Sequence, residues 1–234
     1  MKKNYLKIIA VVLLCWTAVE ANAQMNSRWT IGVKGGWNWT EIDRSNLGRI
    51  DDTYSPLGNY DGSLQARYQL TDWLAVRADL GIISRSFRMD RNIHHLDPVY
   101  TKYTNDYLML PLMADFSFGG KKLRGHAFCG GFGSYWLSAH LEGKTYWMTD
   151  YYVYFDDFKE VREFNSEDQR FIAGAVGGLG LSYAFFGSNE ASPIISLDAL
   201  YYYDLVSHHK GYAHLSDPRY MNTLSITLGI SCSF

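Results

Sequence analysis

Eight charged residues stand at positions whose sequence neighbours on both sides are apolar or small. They are Lys34, Asp61, Arg67, Arg77, Asp79, Asp115, Asp198 and Asp204. Side chains of a strand alternate between its two faces, so this spacing predicts a polar face that carries both signs of charge. Such charges can form buried ion pairs and hydrogen bonds, or can line a narrow path for a solute. Arg77 and Asp79, two residues apart, are the pair that we expect to join.

Two pairs of adjacent histidines could supply metal ligands. His94-His95 and His208-His209 fall in segments predicted as loops, and His214 lies nearby. Imidazole suits Zn, Cu and Ni, so facing loops could share an ion. Adjacent histidines on an extended chain point in opposite directions, however, and no Cys or carboxylate stands at ligand spacing. We therefore expect solvated loop histidines, no metal site and no bound cofactor.

The residue types of a catalytic triad are also present. The sequence contains no Gly-x-Ser-x-Gly motif, and spacing identifies no serine partner for His126 or His140. A triad is defined by its geometry, which the order of residues does not supply. No catalytic residue is assigned, and we expect a protein that is not an enzyme, with a lipid-modifying enzyme as a lesser alternative.

The elements that must position these residues are predicted from alternation. Every even position from Leu224 to Phe234 is apolar, and every odd position from Thr223 to Ser233 is small or polar. A tilted strand of about 9–11 residues crosses a bilayer. Alternation of this kind predicts eight strands, with the facing of the fifth ambiguous, at about 29–40, 59–70, 74–85, 106–118, 124–140, 170–185, 195–204 and 222–234.

The predicted connections alternate in length. Long polar segments fall at about 41–58, 89–105, 141–168 and 206–221, and short turns fall at 71–73, 119–122 and 187–190. Transmembrane barrels have short periplasmic turns and longer external loops. The sequence therefore predicts an all-β fold, an eight-stranded antiparallel up-and-down transmembrane β-barrel. A soluble lipocalin-like barrel shares the hairpin order, but Trp29 and Trp39 at the ends of an apolar face favour lipid.

The two ends of the chain carry predicted targeting signals. Residues 1–23 have a basic start, a short apolar core and the small-x-small site Ala21-Asn22-Ala23, which predicts a signal peptide followed by a barrel domain at 24–234. Phe234 resembles the terminal aromatic residue that barrel-assembly machinery recognises. The formal net charge is −2 and no basic block occurs, so nucleic acid is not an expected partner.

Two motifs resemble a known family. Gly32–Asn38, with the sequence GVKGGWN, and Tyr107–Met113, with the sequence YLMLPLM, look like strand motifs of the PorT-like outer-membrane β-barrel proteins of Bacteroidetes, within the OmpX- and OmpA-like superfamily of small barrels. The resemblance implies an outer-membrane barrel of a Gram-negative cell envelope. It supplies no catalytic residues, and it does not imply the secretion role that gives the family its name.

The sequence supports an architecture more strongly than an activity. An eight-stranded barrel is just wide enough for its own side chains, so the charged residues are expected to form a polar network that fills the lumen. The segment Tyr146–Phe158 is rich in aromatic and acidic residues. It could dock a protein, or it could be a hairpin in which strands five and six extend past the membrane and their aromatic side chains pack together. We expect a non-enzymatic outer-membrane barrel with an envelope-structural or docking role through its external loops; the alternatives are a small-solute pore or a soluble periplasmic binding barrel. The expected partners are outer-membrane lipid, the assembly machinery and an unknown protein.

Overall fold

The computed structural model describes residues 28–44, 52–91, 99–120, 122–148, 152–166, 168–185, 193–208 and 219–233. Within them the backbone forms nine strands: β1 Trp29–Arg44, β2 Asp52–Gln69, β3 Leu74–Arg91, β4 Val99–Gly119, β5 Leu123–Met148, β6 Val153–Val161, β7 Phe171–Ala184, β8 Pro193–Asp204 and β9 Arg219–Ser233. The predicted signal peptide, Phe234 and four of the loop histidines (His94, His95, His209 and His214) lie outside the described residues.

Eight of these strands close into a ring. Hydrogen bonds link β1, β2, β3, β4, β5, β7, β8 and β9 in that order, every pair is antiparallel, and β9 pairs back to β1. The ninth strand, β6, pairs with the second half of β5 outside the ring. The predicted all-β, eight-stranded antiparallel up-and-down barrel is therefore confirmed. The described residues include no helix that is long and apolar enough to cross a membrane.

The two rows of the final strand face opposite sides of the wall. On β9, Leu228 is 58% exposed and Ile230 is 53% exposed, whereas Thr223 and Ser225 are at most 1% exposed. The apolar row therefore forms the outer surface and the polar row the interior. A lipocalin-like barrel has the reverse arrangement, because its apolar face must be hidden from water. An outer surface of this kind suits hydrocarbon.

The interior is less polar than the sequence indicates. Buried apolar side chains from the strands form one continuous cluster, which consists of Ile83, Tyr107, Met109, Met113, Phe128, Phe132, Trp136, Ala139, Ile172, Val176, Leu200 and Tyr202. On β5, Phe128 and Phe132 point inward while Leu137 points outward. Both faces of β5 are therefore apolar along part of its length, which explains why its facing cannot be predicted from alternation.

Three of the predicted loops are shorter than expected. β1 and β2 extend into the predicted loop 41–58, β3 and β4 into the predicted loop 89–105, and β5 continues to Met148 before β6 returns at Val153. The predicted loop 141–168 is largely a hairpin. Outside a membrane neither face of a strand has to be uniformly apolar, so the alternation that marks a spanning strand is lost there.

Pro111 interrupts one ladder of the barrel wall. On the β3 side of β4, pairing runs from Ala78 opposite Leu112 to Gly81 opposite Met109 and omits Pro111. On the β5 side Pro111 stands opposite Phe132. Proline has no N–H to donate, so it needs a position where that hydrogen bond is not required. The break in the ladder on the β3 side provides such a position.

Two adjacent glycines of β1 provide a test of the register in which β1 pairs with β9 to close the barrel. A Cβ added to Gly36 would collide with the carbonyl oxygen of Ile226 and lie 2.7 Å from Cα of Thr227, whereas at Gly35 the nearest atom is 3.9 Å away. Gly36→Ala should therefore destabilise the barrel by about 1–3 kcal/mol through overpacking, and Gly35→Ala should not. Urea unfolding of the refolded protein in micelles measures both. Equal unfolding midpoints for the two variants would refute the β1–β9 register.

Candidate functional site in the barrel interior

Four of the eight charged residues meet at the middle of the interior, and we call them the central cluster. β1 contributes Lys34, β3 contributes Arg77 and Asp79, and β8 contributes Asp198. Lys34 donates to Asp198 and lies 3.7 Å from Asp79. Arg77 donates to Asp79 at 2.5 Å and lies 3.0 Å from Asp198. Two cations and two carboxylates therefore alternate in a space that is almost free of solvent, since none of the four side chains is more than 5% exposed.

A second group, the periplasmic cluster, lies near the short turns. Arg67 donates through Nε to Asp115 Oδ2 at 2.6 Å and also contacts Ser117. The other carboxylate oxygen of Asp115 lies 2.8 Å from Nδ1 of His126, and Nε2 of the same ring lies 2.8 Å from Ser182 Oγ. The cluster thus joins β2, β4, β5 and β7 by side-chain hydrogen bonds.

The external cluster lies at the opposite end of the barrel. Arg85 donates to Asp204 at 2.9 Å, and Nε2 of His208 lies 2.8 Å from the same carboxylate. Nδ1 of His208 is 3.1 Å from the hydroxyl of Tyr107. His208 is buried, so the expectation of a solvated loop histidine is wrong at this position. The guanidinium of Arg85 also lies over the rings of Tyr107 and Phe132.

The structure divides the predicted charged residues unevenly among these groups. Four form the central cluster, Arg67 and Asp115 belong to the periplasmic cluster, and Asp204 belongs to the external cluster. Asp61 stands apart: one of its oxygens accepts a hydrogen bond from Ser225, and the other has no hydrogen-bond partner among the described residues. The whole predicted set faces the interior, but it does not form one continuous network.

Three interior residues that carry much of this geometry are absent from the predicted set of eight. Alternation on the third strand places Arg85 on the same inward face as Arg77 and Asp79, and the structure confirms that facing, but its ion pair with Asp204 was not predicted. His126 lies on β5, whose two faces could not be distinguished by apolar content. His208 follows the end of β8, where no periodicity remains.

The clusters and the apolar side chains occupy much of the interior. A cavity of about 80 Å³ lies beside the periplasmic cluster, and one of about 30 Å³ lies beside Lys34, Asp61 and Asp79. A wider, open cavity of about 810 Å³ at the wall of β2, β3 and β4 also reaches Lys34 and Asp61. In the part of the chain that the structure describes, no group of three or more His, Cys, Asp and Glu side chains could hold a metal ion. Cys129 and Cys232 form no disulfide bond. The arrangement is suited to holding strands together and to proton transfer between hydrogen-bonded groups.

Removal of one central carboxylate should destabilise the barrel more than removal of a partly exposed one. Asp198→Asn leaves Lys34 and Arg77 with one carboxylate for two buried cations, and breaking such a buried pair costs about 3–5 kcal/mol. Asp90→Asn breaks the Arg88–Asp90 pair, in which the Arg88 side chain is 41% exposed, and should cost under about 1 kcal/mol. Urea unfolding in lipid vesicles compares them. Equal losses would show that the central cluster does not stabilise the barrel.

Comparison with known sequences identifies one family. The chain matches the family described as "Outer membrane protein beta-barrel domain" over residues 22–208, which is more than half of its length. No curated relative matches the sequence.

Several solved outer-membrane proteins resemble the fold at low identity. OprG of Pseudomonas aeruginosa is 10% identical with a TM-score of 0.47, and the match covers 89% of this chain and 97% of that chain. Ail of Yersinia pestis, in complex with the heparin analogue sucrose octasulfate, is 10% identical with a TM-score of 0.40, and the match covers 87% and 99%. Outer Membrane Protein W of E. coli is 14% identical with a TM-score of 0.38, and the match covers 89% and 98%. These similarities are too low to support an argument about function.

The family match agrees with the closed ring of eight strands and with the apolar outer surface of its wall. The chain belongs to the outer-membrane β-barrel family, and its location is the outer membrane.

Proposed function

We propose that this protein is a closed outer-membrane barrel that docks a protein partner through the part of its sheet that projects beyond the membrane. One observation carries the proposal: the barrel interior is filled by its own side chains, while β2 to β6 continue past the ring as an ordered sheet. A filled interior favours docking over the alternative of a small-solute pore. The docking role itself requires no catalytic step.

The external sheet, as we call this projecting part, is formed by the outer ends of five strands. Its register runs from Asp52 opposite Arg91, through Arg91 opposite Val99 and Tyr100 opposite Lys144, to Lys144 opposite Asp157. The strands are therefore held together by a continuous ladder rather than by loose connections. A rigid surface loses little conformational entropy on binding, which favours recognition.

Charged pairs order one face of the external sheet. Lys102 donates to Glu142 across β4 and β5 at 2.7 Å, and this hydrogen bond holds the pKa of Glu142 below its usual range. Lys144 lies 5.0 Å from the ring of Phe155. Exposed pairs of this kind contribute little stability. Their effect is to fix where charge is presented to a partner.

The last strand of the external sheet presents the features most typical of a docking site. Among the described residues β6 pairs along one edge only, with β5. Tyr152 and Tyr154 are 66% and 56% exposed beside the exposed carboxylates of Asp156 and Asp157. An unpaired strand edge can accept an extended segment of another chain. Acidic side chains beside exposed tyrosines favour a partner with basic residues.

Further parts of the proposal concern export and lineage. We propose that residues 1–23 direct export, that the mature barrel domain is 24–234, and that Phe234 is read by the barrel-assembly machinery. The motifs Gly32–Asn38 and Tyr107–Met113 support a PorT-like protein of a Gram-negative Bacteroidetes envelope. The lipid-facing rows support outer-membrane lipid as the immediate surroundings, and the absence of a basic block argues against nucleic acid.

The filled interior predicts that the barrel does not conduct. Refolded protein in a planar lipid bilayer should give no reproducible discrete current steps, because side chains occupy the path that ions would take. A porin of known conductance, recorded in the same bilayer, serves as a positive control for the sensitivity of the recording. Discrete conductance from the unaltered protein would favour the pore alternative.

The docking role predicts contacts at β6 that a lipid-facing position lacks. A photo-crosslinking amino acid in place of Tyr154 should give a protein adduct of defined mass in intact cells, whereas the same group in place of Leu228, on the lipid face, should give none. Reversing the charge with Asp156→Lys and Asp157→Lys should abolish the adduct. Absence of an adduct at Tyr154, or an adduct that survives the charge reversal, would contradict docking of a basic partner at this edge.

A further inference from the structure

We infer that Ser182 is a nucleophile that His126 activates and Asp115 positions, at a small site open towards the periplasmic end of the barrel. This inference goes beyond the docking role and does not depend on it. The three residues lie on β7, β5 and β4, and their numbers give no indication that they meet. Each side chain is part of the periplasmic cluster described above.

The hydrogen bonds run in the order that nucleophilic catalysis requires. Asp115 Oδ1 is 2.8 Å from Nδ1 of His126, and Nε2 of His126 is 2.8 Å from Ser182 Oγ. In the ladder, His126 stands opposite Gly180 and Ser182 stands opposite Arg124. The imidazole thus reaches Ser182 diagonally over a residue with no side chain. Nucleophile, base and orienting carboxylate are within the distances seen in serine hydrolases.

The groups around His126 favour the tautomer in which Nε2 can accept a proton from Ser182. Asp115 is held on its other oxygen by Arg67 Nε at 2.6 Å, which favours the carboxylate form. A carboxylate only accepts hydrogen bonds, so Nδ1 of His126 carries the hydrogen and Nε2 presents its lone pair to Ser182. That lone pair can take the hydroxyl proton as Oγ attacks.

A cavity of about 80 Å³ opens beside these groups. Its lining includes Ser182, His126, Arg67, Arg124 and Ser196, and the hydroxyl of Ser196, a residue 9% exposed, has no hydrogen-bond partner in the described chain. A single water needs about 10–15 Å³ of such space, so the cavity admits an acyl group of a few non-hydrogen atoms. Among the described residues Arg124 has no salt-bridge partner, so its guanidinium is available to a negatively charged group.

The chemistry that fits is hydrolysis of a small carboxylic ester with a nearby negative charge. Ser182 Oγ bonds to the ester carbonyl carbon while its proton passes to His126 Nε2. The bond from that carbon to the alcohol oxygen then breaks, and the alcohol leaves with the proton from His126. Water, deprotonated by His126, adds to the acyl carbon and releases the acid, and Ser182 regains its proton. The guanidinium of Arg124 can stabilise the oxyanion.

The sequence around the serine differs from the usual nucleophile motif. Gly180-Leu181-Ser182-Tyr183-Ala184 matches a Gly-x-Ser-x-Gly pattern except at its last residue, and it lies within β7. The backbone N–H groups that form an oxyanion hole in an elbow are used here in the barrel ladder. Side-chain cations must therefore replace them, which predicts slow turnover and a preference for substrates that carry negative charge.

A fluorophosphonate probe tests the nucleophile on the full-length protein in micelles. Ser182 Oγ attacks phosphorus, fluoride leaves and His126 takes the proton, so peptide mass spectrometry should locate the label on Ser182. Ser182→Ala should abolish labelling, and His126→Gln should slow it by about a hundredfold, the usual effect of losing a general base. Ser134→Ala, which removes a buried interior serine that donates to a backbone carbonyl, should label at the normal rate.

The position of the label and its dependence on His126 decide whether Ser182 is the nucleophile. Label on Ser182 that depends on His126 supports it; no label above the Ser182→Ala background, or label on another serine, overturns it. Heat-dependent gel mobility confirms that each variant is folded, and Asp115→Asn provides a second measurement if His126→Gln does not fold. In Asp115→Asn the ring hydrogen of His126 should move from Nδ1 to Nε2. The nitrogen chemical shifts of the ring measure this change. An unchanged tautomer would refute the positioning role of Asp115.

Discussion

Every backbone N–H and C=O at the depth of the hydrocarbon must find its hydrogen-bond partner within the protein, and the rest of this structure depends on that constraint. A strand in lipid needs a neighbour on each edge, so the sheet closes where β9 meets β1. Closure with eight strands fixes a narrow interior. Closure also reverses the distribution of polarity found in a water-soluble protein. The apolar side chains face lipid on the outer surface, and the polar side chains of the inner face can pair only with one another.

The narrow interior explains why its charged side chains form groups in which cations and carboxylates alternate. A buried cation such as Arg77 is costly unless carboxylates surround it, and Asp79 and Asp198 approach it from different strands. Pairing across strands means that the ion pairs also tie together parts of the wall that are distant in sequence. Between the charged groups the interior is closed by aromatic and aliphatic side chains, which need no partners and fill space with close contacts. The result is a packed core inside a barrel rather than a water-filled channel.

The sequence predicted the wall of the barrel better than its contents, for a physical reason. Alternation of apolar and polar residues shows that the two faces of a strand differ in polarity. A row of apolar residues such as that from Leu224 to Phe234 therefore identifies a membrane-spanning strand directly. It does not report what an inward side chain meets across the lumen, and His126 was missed because β5 is apolar on both faces. Alternation also fails above the membrane, where neither face contacts lipid. The sequence therefore left open whether the segment of the β5–β6 hairpin is a loop or an extension of two strands. Contacts such as His126 with Ser182, 56 residues apart, exist only once the ring is closed.

The same closure concentrates any chemistry at the two ends of the barrel. The middle of the interior is occupied by the central cluster and the apolar side chains. At the external end, β2 to β6 outgrow the ring and leave β6 with one edge that no described strand covers. At the periplasmic end, the interior hydrogen bonds run to a serine beside a small cavity. A protein of this design can be inert through its centre and still present a different surface to each side of the membrane.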